Sequence, residues 1–226
     1  WICLANDHTF IIPENLRCFV DEQPLGSLLD DSWFGHRLKE EPHHGEDGVE
    51  FLSGAAGWLI NRKLLTKLLK AFKEGLCGGT LKERAQPSLL IAQCVREHLH
   101  IQPREIVDKS GKPRTHVYGP VRELTKQQDP WWQHYRENVG ARIDRVGLDC
   151  CSEHTISFHY AFGPEQRLID HVIRNPSRFR AMDAAEKQKM WPSASELGGH
   201  SYGPKDKSTH ELLWTFLLDH LHIAEC

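Results

Sequence analysis

The sequence has no uninterrupted apolar run approaching the roughly 20 residues needed to span a bilayer. Its most apolar window, FLSGAAGWLI, is short and broken by glycine. Neither sign of charge is in excess: 28 basic and 31 acidic residues leave a net charge of -3, so there is no electrostatic case for nucleic acid. No CxxC pair suggests a zinc finger, and seven cysteines are too dispersed for a small disulfide scaffold. Internal repeats and low-complexity tracts are absent, as are an initiator Met, a basic n-region and a cleavage site. The chain begins at Trp1, inside what reads as a strand. It is therefore expected to be a fragment whose natural N-terminus, with any anchor, has been lost.

What is there is enough for one substantial core: 226 residues, 39% of them hydrophobic. Trp1 to Ala5 reads as a buried strand, and Pro13 opens a helix with Leu16, Phe19 and Val20 on its apolar side. Residues 21–50 read as mostly loop, interrupted by Trp33-Phe34. After the glycine-rich segment comes a helix capped by Asn61, with Leu64, Leu65, Leu68, Leu69 and Phe72 at helical spacing and Gly75 as its stop. Its basic residues read as a solvated face opposite the core. A second helix is expected from about Ser88 to Leu99. A third starts at Gly163-Pro164 with Leu168, Ile169, Val172 and Ile173 inward, and residues 175–207 read as loosely structured. A last helix is announced by Ser208 and Glu211 as a capping box. Strands alternating with helices give the class α/β.

The adjacent Cys150-Cys151, and Cys77 with Cys94 around a polar loop, are disulfide candidates suited to an oxidising compartment. In HTISFHY, period-two geometry puts Ile156, Phe158 and Tyr160 on a core face and Thr155, Ser157 and His159 on the other. His159 gains interest only if another ligand converges on it. Asn6-Asp7-His8, where the opening strand ends, offers hard oxygen and borderline nitrogen suited to Mn²⁺ or Mg²⁺ beside a diphosphate. From spacing alone, a turn and helix cap is the simpler reading of that triplet.

Four collinear stretches resemble one family. WICLANDHTFIIPENLRCF is similar to the Trp-x-x-x-Ala-Asp-Asp-Asp-Thr-Tyr…Asn-Leu-Arg segment of the Fringe-related β-1,3-glycosyltransferases, glycosyltransferase family 31. FLSGAAGWLINRKLL resembles their Gly-Gly-x-Gly-Tyr-x-Leu-Ser segment, and Asp108, Gly111, Arg114 and His116 match a later Asp-x-x-Gly-x-x-Arg-Phe-His stretch. DCCSEHTISFHY is nearest to the core 1 β-1,3-galactosyltransferases.

The resemblance implies a GT-A fold, truncated here at its N-terminus, in one partial catalytic domain over residues 1–226. Residues 1–60 would hold the metal and donor strand with the glycine-rich segment, 61–160 the acceptor side up to the SFHY strand, and 161–226 a helical extension. It implies a single-pass type II protein of the Golgi lumen, possible homo-oligomers, and inverting transfer of galactose from UDP-galactose to the 3-hydroxyl of N-acetylgalactosamine on a glycoprotein. Mn²⁺ would be held by Asp7, His8 and His159. Asn6, Gly54 and Ala55 would lie at the donor, and Trp131, Trp132 and Tyr135 at the acceptor sugar.

Three departures bear on activity. Asn6 and His8 stand where the family has aspartates, and the family's strands before this triplet are absent. Counting back from Cys94 places Pro87 and Ser88 opposite the family's acidic base pair, where a serine hydroxyl has no basicity and is expected to cap the helix. Glu83 would have to substitute from a shifted loop. General-base catalysis supplies about 10²–10⁴-fold, so this loss alone would cripple transfer. The competing expectation is an inactive relative that acts as a chaperone or partner of an active transferase.

Overall fold

The structure is a computed structural model, and it describes residues 1–24, 30–39, 48–77, 87–125, 145–193, 196 and 203–226. Glu83, Trp131, Trp132 and Tyr135 lie outside the described residues. Contacts divide the chain into two compact units, each built from discontinuous segments: residues 1–6 and 19–106 lie in unit one, and residues 7–18, 107–127 and 144–226 in unit two.

Unit one is organised by a four-stranded sheet of β1 (Ile2–Leu4), β6 (Trp58–Ile60), β3 (Trp33–Gly35) and β7 (Arg104–Glu105), in that order. Pairing is antiparallel for β1 with β6 and β3 with β6, and parallel for β3 with β7. A two-stranded ladder of β4 (Arg37–Lys39) and β5 (Glu50–Leu52) adjoins it in sequence. Two sequence expectations are corrected here. The opening strand is not buried: it takes the outer place in the sheet, leaving Ile2 and Leu4 exposed. The stretch read as loop around Trp33-Phe34 supplies an interior strand, because its two rings are buried despite polar flanks.

Behind this sheet α2 (Arg62–Lys73) forms for the reasons written in its sequence. The Asn61 side chain accepts from the Leu64 backbone N–H at 2.9 Å, and Leu64, Leu68 and Ala71 are buried. The helix ends at Gly75, whose φ of +73° lets Leu76 N–H reach back to Ala71 O at 3.0 Å. The second helix, α3 (Pro87–Cys94), continues as a π turn over Val95–Leu99, and a disulfide joins Cys77 to Cys94.

Unit two has a three-stranded sheet with β9 (Ser157–Phe158) between β2 (Phe10–Ile11), antiparallel, and β8 (Thr115–His116), parallel. Helix α1 (Pro13–Asp21) follows β2, and the boundary between the units falls within it. The helices α4 (Pro120–Thr125), α5 (Gly163–Arg174), α6 (Pro176–Arg180), α7 (Ala184–Met190) and α8 (Lys207–Thr215) complete the described helical part, with a π turn at Phe216–His220. Its core joins Phe10, Phe158, Ile169, Phe179, Leu213 and Phe216 among others.

Three more expectations are corrected. Residues 175–207 hold α6 and α7, the latter closed by a capping box between Asp183 and Glu186. The final helix is capped by Asp206, which accepts from Thr209 N–H at 2.8 Å, two residues before the expected Ser208. Both faces of the HTISFHY strand are buried because it is the middle strand, and Tyr160, beyond the ladder at φ +54°, is the exposed member. Cys150 is bonded to Cys151, and a third bridge, unexpected from spacing, joins Cys18 to Cys226 across 208 residues. The outcome is a mixed α/β protein with mixed sheets.

Candidate functional site

The candidate residues gather in two places, one in each unit. In unit two, the turn at Asp7-His8 precedes β2, and His159 directly follows β9. Two backbone bonds place these ends: Ala161 N–H donates to His8 O at 3.1 Å, and His159 N–H to His116 O at 3.1 Å. Gln166, in the first turns of α5, locks the arrangement. Its Nε2 donates to Asp7 O at 3.2 Å and to Ala161 O at 2.7 Å. The His8 ring lies 5.0 Å from that of Phe162.

The side chains there differ in environment. Asp7 and His8 face solvent, with side-chain exposures of 87% and 48% and 3.7 Å between Oδ1 and Nε2. His159 is buried, and its Nδ1 has no hydrogen-bond partner among the described residues. Burial first, and then the nearby His8, lower its pKa to about 4, while Asp7 pulls the other way. At neutral pH His159 is therefore an uncharged imidazole with an uncommitted nitrogen, the form in which histidine ligates or accepts.

Among the described residues, no three His, Cys, Asp or Glu side chains converge on one point as a cation site requires. The buried, unpartnered nitrogen of His159 suits a ligand, but Asp7 turns to His8 at the surface. The donor set present does not fit a divalent ion by itself.

In unit one the glycine-rich segment and Ser88, expected from the resemblance to stand at the base position, meet directly. Gly54 N–H donates to Ser88 Oγ at 3.1 Å, and a Cβ on Gly54 would sit 2.7 Å from that oxygen. Ser88 is thus not the helix cap that its sequence suggested. It lies one residue inside α3, which begins at Pro87, and its hydroxyl is an acceptor for the loop. Ala55 is adjacent in the turn at 54–56, and Ser53 Oγ accepts from Ala56 N–H at 3.2 Å. Asn6 is exposed at the end of unit one.

The matched Asp-x-x-Gly stretch is a turn. Asp108 Oδ1 accepts from Ser110 N–H, Ser110 Oγ–H and Lys112 N–H, at 2.8, 2.7 and 2.9 Å, and Gly111 takes φ +75°. These bonds, opposed by some burial, hold the Asp108 carboxyl below its ordinary pKa. His116 is buried beside Phe158, with Nε2 3.3 Å from Thr155 Oγ1 and Nδ1 3.8 Å from Glu123. Thr155 Oγ1 donates to Ser152 O at 2.7 Å, so the resemblance to a hydroxyl–imidazole–carboxylate relay is structural.

One titratable group escaped the sequence reading. Glu165 is buried in the first turn of α5, and burial raises its pKa to about 7 against the opposing Phe162 backbone hydrogen bond. Its Oε1 lies 3.6 Å from where a Gly119 Cβ would stand, a position also 3.6 Å from His159 O. The signal available was its place three residues after Phe162, where a glutamate reaches back to the helix start.

The chain matches no family model. It is 25% identical over 177 residues to glycoprotein-N-acetylgalactosamine 3-beta-galactosyltransferase 1 of Xenopus laevis, a match covering 76% of this chain and 45% of that relative. The likeness is to a galactosyltransferase. The chain spans about half the length of the curated relative it matches. The similarity supports a relationship to that galactosyltransferase family, and the mixed α/β architecture is compatible with a glycosyltransferase domain. Among the described residues, no helix is long and apolar enough to cross a membrane.

Proposed function

We propose that this chain is part of a β-1,3-galactosyltransferase that uses UDP-galactose as donor and a GalNAc-bearing glycoprotein as acceptor. The observation that carries the reading is the similarity over 177 residues to a transferase of that name. In the reaction the acceptor 3-hydroxyl attacks the anomeric carbon, its bond to the UDP oxygen breaks, and the hydroxyl proton leaves to a base. Transfer inverts the anomeric centre in one step. His159, neutral and with an uncommitted Nδ1, is the side chain of this chain best suited to meet the donor, with Asp7 and His8 at the surface above it. Gly54 and Ala55 would line the donor sugar's side. The disulfides Cys77–Cys94, Cys150–Cys151 and Cys18–Cys226 suit an oxidising secretory compartment such as the Golgi lumen.

A second reading has a specific observation behind it. Ser88, at the base position, is not a carboxylate, and its hydroxyl is committed to Gly54 N–H. That favours a non-transferring relative acting as a chaperone or partner. One experiment separates the two: the complete natural protein with UDP-galactose and a GalNAc-peptide, with and without Mn²⁺. Galactosylated peptide supports transfer; stable association with an active transferase and no product supports the partner role.

A further inference from the structure

A groove bordered by α7 and α8 has a chemistry that the Asp7–His8–His159 turn does not use. Its volume is about 440 Å³, the size of a small-ligand site, and none of those three residues lines it. Helix α7 contributes Lys187 and Gln188. Helix α8 contributes Lys207, Glu211 and Trp214, and the π turn after it adds Asp219.

The charges of this lining cancel, two ammonium groups against two carboxylates. Lys207 stands 3.8 Å from Glu211, and Asp219 is held by Arg180 from outside the groove at 3.1 Å. A lining of mixed sign does not single out a phosphate or a carboxylate, since an ionic ligand would face like charge as well as opposite. Its polar groups are of both kinds: the lysines donate, the carboxylates accept, and Gln188 does both. Between them lies Trp214, 5% exposed, stacked near Phe179 at 5.9 Å and approached by Lys187 Nζ at 5.9 Å from its ring centre. Its indole N–H has no acceptor among the described residues. Donors and acceptors interspersed around an aromatic wall match a neutral polyhydroxyl ligand, in which each hydroxyl both donates and accepts and the ring C–H faces are apolar.

We propose that this groove binds a neutral saccharide, a hexose or N-acetylhexosamine, through Gln188 and Glu211 against the wall formed by Trp214. The proposal concerns binding alone and stands whether or not the protein transfers galactose.

The test uses the oxidised, ¹⁵N-labelled protein titrated with methyl α-N-acetylgalactosaminide and methyl β-galactoside, with methyl glucuronide and glycerol as controls. The readout is the Trp214 indole N–H resonance, assigned by its loss in Trp214→Phe. The expected result is a saturable shift with a neutral glycoside, weakened about tenfold or more in Glu211→Gln combined with Gln188→Ala. Glu211 has a side-chain exposure of 63%, so that variant retains its fold, verified by an unchanged melting curve. A resonance that stays still for every glycoside overturns the proposal. So does a shift that survives the double variant, or one produced equally by glucuronide or glycerol. Transfer of galactose, assayed separately, decides the proposed function independently of this result.

Discussion

Ser88 Oγ accepts the Gly54 amide proton at 3.1 Å, and this contact ties the glycine-rich loop to the first turn of α3. That hydroxyl is thus a structural acceptor.

The contact predicts a coupling. Gly54→Ala would place a methyl 2.7 Å from Ser88 Oγ, so the hydroxyl must turn away and leave the Gly54 N–H without its acceptor. Ser88→Ala removes the acceptor directly. Each is expected to cost about 1–2 kcal/mol in urea unfolding. Because both lose the same bond, the double variant should cost clearly less than the sum. Strict additivity would contradict the assignment.

A pH dependence follows from His159. Its folded-state pKa lies near 4, below the ordinary 6.5, because burial and His8 disfavour its charged form. Between those values the unfolded chain binds more protons, so this stability is fully present above pH 6.5 and lost as pH falls toward 4. Urea midpoints measured from pH 7 to pH 4 should fall, and His159→Asn should flatten that slope. An equal slope in wild type and variant would show that other groups set it.

Glu165 acts with the opposite sign. Its folded pKa, raised by burial to about 7 from 4.5, means that its contribution is complete below pH 4.5 and lost as pH rises through 7. Glu165→Gln keeps an oxygen for the Phe162 N–H without the buried charge. The variant should gain on wild type between pH 5 and pH 8, seen as a widening difference in melting temperature. A constant difference would mean that Glu165 does not titrate in this range.

The C-terminal residues of unit two should behave as a strap. Asn15, fully buried, donates to Thr155 O at 2.7 Å and His222 O at 2.9 Å and accepts from Ala224 N–H at 2.7 Å. The Cys18–Cys226 bridge closes the same region. Cys226→Ser is expected to cost about 2–4 kcal/mol through the long loop that it opens. Asn15→Ala should cost about 2–3 kcal/mol, since one buried and two part-buried backbone groups lose their partner. Both are read by chemical denaturation of the oxidised protein, and wild-type midpoints would refute the strap.

How far the sequence goes is clear from particular elements. Helix α2 was legible at both ends, because Asn61 and Gly75 act locally on a regular apolar face. Helices α6 and α7 were not. They are short, their region is rich in proline and charge, and their stability comes from burying Phe179 and Trp191 in a distant core. The strand at Trp33-Phe34 was hidden for the same reason, since its pairing partners lie far along the chain. At the candidate site, the family resemblance, and not spacing, pointed to Asp7, His8 and His159. It did not show the burial that keeps His159 neutral, the turn of Asp7 toward His8, or the diversion of Ser88 to Gly54. Those depend on neighbours that only folding supplies. Glu165 was missed because its acidity is set by burial, which helical periodicity of the surrounding apolar residues does not reveal.

The central claim is galactosyl transfer, and its most direct measurement is incorporation of labelled galactose from UDP-galactose into a GalNAc-threonine peptide by the complete natural protein with Mn²⁺. The account predicts a β-1,3-linked product whose formation falls sharply in His159→Ala, while that variant still folds. Absence of product together with absence of UDP binding, in a protein shown to be folded and oxidised, would contradict it.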